Sequence, residues 1–310
     1  MPKILFAAEP ALWPKYEGHL FHWLSEAGIA AELAPDLGPP EEIDYIVYSP
    51  GSDVQDFTPY TRLKAVLNLW AGVENVTGNE TLKVPLARMV DGGLTEGMVE
   101  WVVGHVLRHH LDIDHVLAHQ DGRWVPKVPP LARHRPVTVL GLGALGAACA
   151  QALAALNFPV TGWSRSAREV AGVTCLSDPG GLEQALARAE ILVLLLPLTP
   201  GTESLLNAAH LDQLHPGAIL LNPGRGALID DDALLAALDS GQIAHATLDT
   251  FRTEPLPPEH PFWTHPRVTV TPHIASATRA ETAAQVVVEN IRRGEAGLPF
   301  LHLVDRDRGY

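Results

Sequence analysis

The sequence predicts two α/β domains, each built on a doubly wound parallel sheet, with one domain inserted into the other. Three observations predict this. Short apolar runs alternate with helical patterns along nearly the whole chain, which is how strand–helix–strand units and parallel sheets are written. A glycine fingerprint, Gly141, Gly143 and Gly146 within PVTVLGLGALGAACAQALAAL, falls near the middle of the 310 residues and not near the start. A last helical pattern, 279–293, follows the final strand candidate and is expected to return to the first domain. The expected boundaries are 1–96 plus 277–310 for the outer domain and 97–276 for the inserted one.

In the first domain the strand candidates are 4–7, 30–33, 43–48, 65–69 and 84–88, with a helix near 16–27. A long helical pattern, LTEGMVEWVVGHVLRHHLDIDHVLAH, then runs from 94 to about 119, with Thr95 as its expected cap, before a proline-rich connector. Val137 to Leu140 read as a buried strand and Ala144 to Leu156 as a helix apolar on nearly every face, as one pressed against a parallel sheet would be. Further strands are expected at 160–163, 173–176, 191–196, 218–222, 243–249 and 268–271. A helix over 231–238 is followed by Ser240-Gly241, a C-terminal stop.

Composition narrows the classes of function. A formal charge of −14 argues against non-specific binding to nucleic acid or anionic membrane, because phosphate contact needs a basic surface. No run is apolar for the roughly 20 residues of a membrane span, and ILVLLLPL at 191–198 ends in Pro197 before Leu198. The N-terminus lacks a signal-peptide pattern. Cys149 and Cys175 form neither a disulfide framework nor a metal knuckle. A reducing cytoplasm fits this set.

The fingerprint gives the inserted domain a ligand. Gly141 permits the tight turn, Gly143 lets the backbone approach a pyrophosphate, and Gly146 lets helix and strand pack closely. The helix N-terminus then attracts the phosphates. A bare GxGxxG is weak evidence, but one set between a clear strand and a clear helix marks a Rossmann dinucleotide-binding unit. An NAD-binding unit carries an acidic residue about 20 positions on, at the second strand's end. Here that place holds Ser164, Arg165 and Ser166, with Arg168 nearby. A guanidinium flanked by hydroxyls suits a 2′-phosphate, so NADP(H) is the preferred cofactor expected, with NAD(H) as the less favoured one.

Three later strands end in polar residues at the edge where ligands sit in doubly wound folds. AILLNPGRGALID supplies Arg225, ATLDTFRTEP supplies Glu254 after Asp249, and VTVTPHIASAT supplies His273. Hydride delivery to a keto carbon leaves negative charge on oxygen. That oxygen needs a proton donor, a role that suits histidine. Glu254 would hold His273 protonated until the reaction, and Arg225 can bind substrate oxygens through two parallel hydrogen bonds.

With these motifs the chain resembles the D-isomer-specific 2-hydroxyacid dehydrogenase family, and its glyoxylate/hydroxypyruvate reductase branch above all. The likeness covers nearly the whole chain and rests on LWAGVENV (69–76), GLTEGMVEWVVGHVLRHH (93–110), VLGLGALG (139–146), GWSRS (162–166), LPLTPGT (196–202), NPGRGALID (222–230), TEPLPPEHPFW (253–263) and TPHIAS (271–276). The family's catalytic arginine, glutamate and histidine match Arg225, Glu254 and His273. The resemblance implies a flavodoxin-like outer domain and a substrate carboxylate held by backbone amides of the Trp70-Ala71-Gly72-Val73 turn. It places Leu142, Ala144 and Leu145 along the pyrophosphate and Leu196, Pro197 and Leu198 on the adenosine side, with Thr202 a further cofactor-binding residue. It sets Asp249 at the nicotinamide amide and Met98 near the nicotinamide, and counts Asn222, Pro223, Gly224, His273 and Ala275 among the cofactor-binding residues. It also implies a homodimer, paired largely through the long helix and the connector, and the reduction of small 2-keto acids to D-2-hydroxy acids.

Two rival readings stay open at this point. One is an NAD-dependent dehydrogenase of lactate or phosphoglycerate type; the other is a non-catalytic, nucleotide-sensing binding protein on the same fold. The pairs His105/His109 and His115/His119 have the i,i+4 spacing of zinc ligands, but no third ligand is evident. Helix-surface or interface histidines are the better reading, and no metal is expected. Trp13, Trp23, Trp70, Trp124 and Trp263 read as core or interface residues, with Trp70 a candidate wall of the substrate pocket.

Overall fold

The apolar runs of the first part become the strands of a sheet buried on both faces. The computed structural model describes residues 1–178, 180–306 and 308–309. It divides into two units, Met1–Leu94 with Ala277–Tyr310, and Thr95–Ser276. The expected 96/97 junction falls two residues further along the same helix.

The first unit contains β1 (Lys3–Ala7), α1 (Trp13–Glu26), β2 (Glu32–Ala34), β3 (Tyr45–Tyr48), β4 (Ala65–Asn68), the single turn α2 (Glu74–Thr77) and β5 (Leu86–Ala87). All its strands are parallel, in the order β2-β1-β3-β4-β5. That is the flavodoxin-like order, and ligands of such sheets sit beyond the carboxyl ends of the strands. In α1, Tyr16, Leu20 and Leu24 recur at i,i+4 and are buried. They share a core with Ala283, Ala284, Val287, Val288 and Ile291 of the C-terminal helix Ala280–Glu295. The chain after that helix stays with the unit: Val304 N donates to Leu86 O, and Leu303 bridges Ala87 antiparallel at the sheet edge.

The long helical pattern is two helices, not one. α3 covers Gly92–His110 and α4 covers Ile113–Ala118. Asp112 between them takes a left-handed conformation (φ 55°), which ends the first helix. The cap also differs from expectation: Leu94 N donates to Asp91 Oδ1 at 2.8 Å, while Thr95 lies within the helix.

The second unit continues with β6 (Val137–Leu140), α5 (Ala144–Ala155), β7 (Val160–Trp163), β8 (Val173–Leu176), α6 (Gly181–Leu186), β9 (Ile191–Leu194), α7 (Ala208–Leu211), β10 (Ala218–Asn222), α8 (Asp231–Ser240), β11 (Ile243–Leu248) and β12 (Val268–Val270). The sheet order β12-β11-β10-β9-β6-β7-β8 is parallel throughout and reverses direction between β6 and β9, the switch point of a Rossmann sheet. Gly241, at φ 83°, closes α8 as expected from Ser240-Gly241.

His109 is not a surface residue. It is buried, its Nε2 lies 2.9 Å from Thr247 Oγ1, and its ring is 4.9 Å from that of His245, which in turn meets Thr269 Oγ1 at 2.8 Å. Trp124, by contrast, is 95% exposed and contributes to no core. Burial lowers the imidazole pKa of His109 to about 3 and of His245 to about 4. Both values lie below that of an unfolded histidine, so the unfolded chain binds more protons between about pH 6.5 and 3. Stability is therefore full above pH 6.5 and falls with acidification by up to about 1.4 kcal/mol per pH unit for each group. The thermal midpoint should drop less between pH 7 and 5 in His109→Gln than in the unaltered chain; equal slopes would refute this account.

Candidate active site

The glycine loop follows from close backbone approach. Gly141 sits at φ +104°, and a Cβ there would lie 2.5 Å from Leu195 O, so only glycine serves both needs. A Cβ on Gly146 would lie 1.7 Å from Gly141 O, which seats the first turn of α5 directly on the loop. Nothing lies within 4 Å of the corresponding position on Gly143. The loop is open where a pyrophosphate would approach, beside Ala144 and Leu145 in the first turn of α5. Leu142 folds over Gly162 of β7, and it shares one buried cluster with Met98 and Ala275.

Beyond β7, Ser164 Oγ donates to Ser166 O at 2.8 Å, and Arg165, Ser166 and Arg168 are exposed. The first carboxylate after the strand is Glu169. Beyond β9, Leu196 is buried while Pro197 and Leu198 are half-buried. Thr202 Oγ1 donates to Pro197 O at 2.7 Å and accepts from Thr199 N at 2.8 Å, so this hydroxyl builds the loop that carries them.

Arg225, Glu254 and His273 follow the carboxyl ends of the neighbouring strands β10, β11 and β12. Asn222, fully buried, organises the first of these loops: its Oδ1 accepts from Gly224 N at 3.1 Å and its Nδ2 donates to Arg225 O at 2.9 Å. Pro223 is buried beside it, and Arg225 Nη1 donates to Gly224 O at 2.8 Å. A Cβ on Gly226 would lie 2.0 Å from the Phe251 carbonyl carbon, so the arginine loop presses on the segment leading to Glu254. Arg252 joins the same two segments, donating to Ile229 O and to Ser204 Oγ, the latter at 2.6 Å.

Glu254 is aimed by its own loop. Oε1 accepts from Phe251 N at 2.9 Å, leaving Oε2 2.7 Å from His273 Nδ1. A carboxylate accepts only, so Nδ1 carries the proton of this pair and Nε2 is the ring nitrogen that can exchange one. The His273 backbone is left-handed (φ 52°), a conformation costing about 1–3 kcal/mol for a non-glycine residue unless its surroundings hold it. Asp249 does that. It is wholly buried, its carbonyl accepts from His273 N, and its carboxylate accepts from Thr271 Oγ1 at 2.6 Å and from Ile274 N and Ala275 N at 2.9 Å each.

In the other unit, the Trp70-Ala71-Gly72-Val73 turn follows β4 at the carboxyl edge of the sheet. Trp70 is 42% exposed and Val73 is buried. Asn68 Nδ2 donates to Trp70 O at 2.9 Å and to Gly72 O at 3.0 Å.

Comparison with known proteins identifies the family. The model of the NAD-binding domain of D-isomer specific 2-hydroxyacid dehydrogenases matches residues 102–275, more than half of the chain. The chain belongs to the D-isomer specific 2-hydroxyacid dehydrogenase family. This dehydrogenase is 40% identical over 282 residues to glyoxylate/hydroxypyruvate reductase A of Yersinia enterocolitica, covering 88% of the chain and 90% of that relative. A family structure from Xanthobacter autotrophicus Py2, in complex with NADPH and MES, superposes with a TM-score of 0.93 at 40% identity, over 100% of this chain and 99% of that one. An NADPH-dependent glyoxylate/hydroxypyruvate reductase from Sinorhizobium meliloti, in complex with NADP and sulfate, gives 0.87 at 34% identity over the full length of both chains.

Sequence reasoning missed several residues of the dehydrogenase. Arg252 lies between the expected Asp249 and Glu254 and could have been noticed as a charge inside a motif. Asn68 is a polar residue at the end of an otherwise apolar strand, a weak signal. That Asp249 staples the turn of His273 had no signal in the sequence, because its partners lie 22 to 26 residues away.

Proposed function

We propose that this dehydrogenase reduces small 2-keto acids, glyoxylate and hydroxypyruvate first among them, to D-2-hydroxy acids with NADPH as electron donor. The observation that carries the reading is the His273 Nδ1–Glu254 Oε2 pair at 2.7 Å, which leaves the second ring nitrogen to serve a substrate. Its place at the sheet edge that also bears the glycine loop supports it, as do the names of the similar reductases. When bound, NADPH supplies the hydride that reduces the keto carbon. Gly143 and the first turn of α5 would hold its pyrophosphate, and Ser164, Arg165 and Ser166 its 2′-phosphate. The Ala71–Val73 amides take the substrate carboxylate. Arg225 grips the substrate oxygens with its fork and stabilises the growing alkoxide. His273 Nε2 gives that oxygen its proton, while Glu254 balances the imidazolium charge and fixes the ring. In the oxidative direction neutral His273 accepts the hydroxyl proton.

The test mixes protein, glyoxylate or hydroxypyruvate, and NADPH, and follows the absorbance of the reduced cofactor. Decay of that absorbance supports the reading; none with any small 2-keto acid would favour a nucleotide-sensing role. The cofactor assignment has its own variant. Arg165→Asp removes the cation and adds a carboxylate able to accept from a ribose 2′-hydroxyl. The ratio of kcat/KM with NADPH to that with NADH should fall at least about tenfold, the equivalent of about 1.4 kcal/mol and modest for a hydrogen bond to a charged group. An unchanged ratio would defeat the 2′-phosphate argument.

A further inference from the structure

Asn68 is the unexpected residue of the first unit. It ends β4, whose other members Ala65, Val66 and Leu67 are apolar, and it is 1% exposed. Its Oδ1 is buried without a partner among the described residues. Leaving a buried amide oxygen unsatisfied is costly, and a valine or leucine would be cheaper to bury at a strand end. The other half of the amide accounts for the residue's presence, since both Nδ2 bonds go to carbonyls of one turn, Trp70 O and Gly72 O.

These bonds set the direction of two amides. In a planar trans peptide the C=O and the following N–H point opposite ways. Drawing the Trp70 carbonyl toward Asn68 therefore turns the Ala71 N–H away from it, and drawing the Gly72 carbonyl inward turns the Val73 N–H away likewise. Trp70 O has a second anchor in Met89 N at 3.0 Å, whereas Gly72 O is held by Asn68. The N–H groups of Ala71, Gly72 and Val73 donate to no group among the described residues.

We propose that Asn68 is a positioning residue for the substrate: its buried amide holds the Trp70 and Gly72 carbonyls so that the Ala71 and Val73 N–H groups are presented together to the carboxylate of a 2-keto acid. The inference rests on the reading of this turn as the carboxylate site. Asn68 itself touches no substrate, and its effect falls on the carboxylate contact and not on proton transfer.

The experiment compares the unaltered enzyme with Asn68→Ala and Asn68→Asp, using glyoxylate at saturating NADPH, with NADPH affinity measured separately by fluorescence. Loss of one to two hydrogen bonds should raise KM for glyoxylate about 5- to 50-fold, with kcat and NADPH affinity nearly unchanged. Asn68→Asp keeps the shape but sets acceptors against two carbonyls, and should raise KM at least as far. If Asn68→Ala does not fold, Asn68→Leu, close in volume, replaces it with the same expectation. Unchanged KM in the variants of an active enzyme overturns the inference, as does a fall in kcat at constant KM. An unaltered enzyme that reduces no 2-keto acid overturns the reading of the turn, and this inference with it.

Discussion

Replacing His273 with alanine is expected to lower kcat for glyoxylate reduction by about 10²–10⁴, the span removed with a positioned proton donor. The large effect follows from how much of the structure is spent on one imidazole. Asp249 staples its left-handed backbone with four hydrogen bonds, and Glu254 orients the ring through Nδ1. Alanine keeps the staple, since all the Asp249 partners in that turn are backbone groups or Thr271, so the fold and NADPH affinity should persist. Glu254→Gln separates the two roles of the carboxylate. It can still meet Nδ1 but cannot balance an imidazolium, so its loss should be smaller than that of His273→Ala. A His273→Ala variant with ordinary kcat would mean that another group supplies the proton.

The second large effect is expected at Arg225. Arg225→Lys keeps the charge but replaces a planar fork with a point cation that cannot make two parallel bonds to substrate oxygens. It also loses the Nη1 bond to Gly224 O that braces the side chain along its own loop. The expected fall in kcat/KM is about 10²–10³, the usual cost of removing a preorganised donor to a developing oxyanion. It should appear in both kcat and KM, because the guanidinium serves bound substrate and transition state alike. Near-normal kinetics in steady-state assays with glyoxylate would refute bidentate binding.

Much of this was legible in the residues because it is local. The strands of both sheets are short apolar runs, and the glycine loop shows its turn at Gly141 and its packing contact at Gly146. The long helical pattern and the helices α3 and α4 differ in two ways for one reason. The apolar periodicity continues through Leu111 and Ile113, so nothing in the pattern announces the left-handed Asp112, and the capping Asp91 precedes the periodic stretch. The i,i+4 spacing of His105 and His109 reads as a helix-surface or interface pair, whereas the burial of His109 depends on Thr247 and His245, far along the chain.

The order of strands and glycines, the absence of a carboxylate at residues 164–168, and the presence of an arginine, a glutamate and a histidine after three late strands are properties of the chain as written. Periodicity and backbone sterics act over a few residues, so they survive without a fold. Tertiary structure alone decided which atoms meet: that Asp249 spends its carboxylate on the turn of His273, that Arg252 ties the arginine loop to the glutamate segment, and that Asn68 aims two amides. Such bonds join groups whose separation is set by sheet order and loop packing, and a hydrogen bond acts only when its partners stand within about 3 Å.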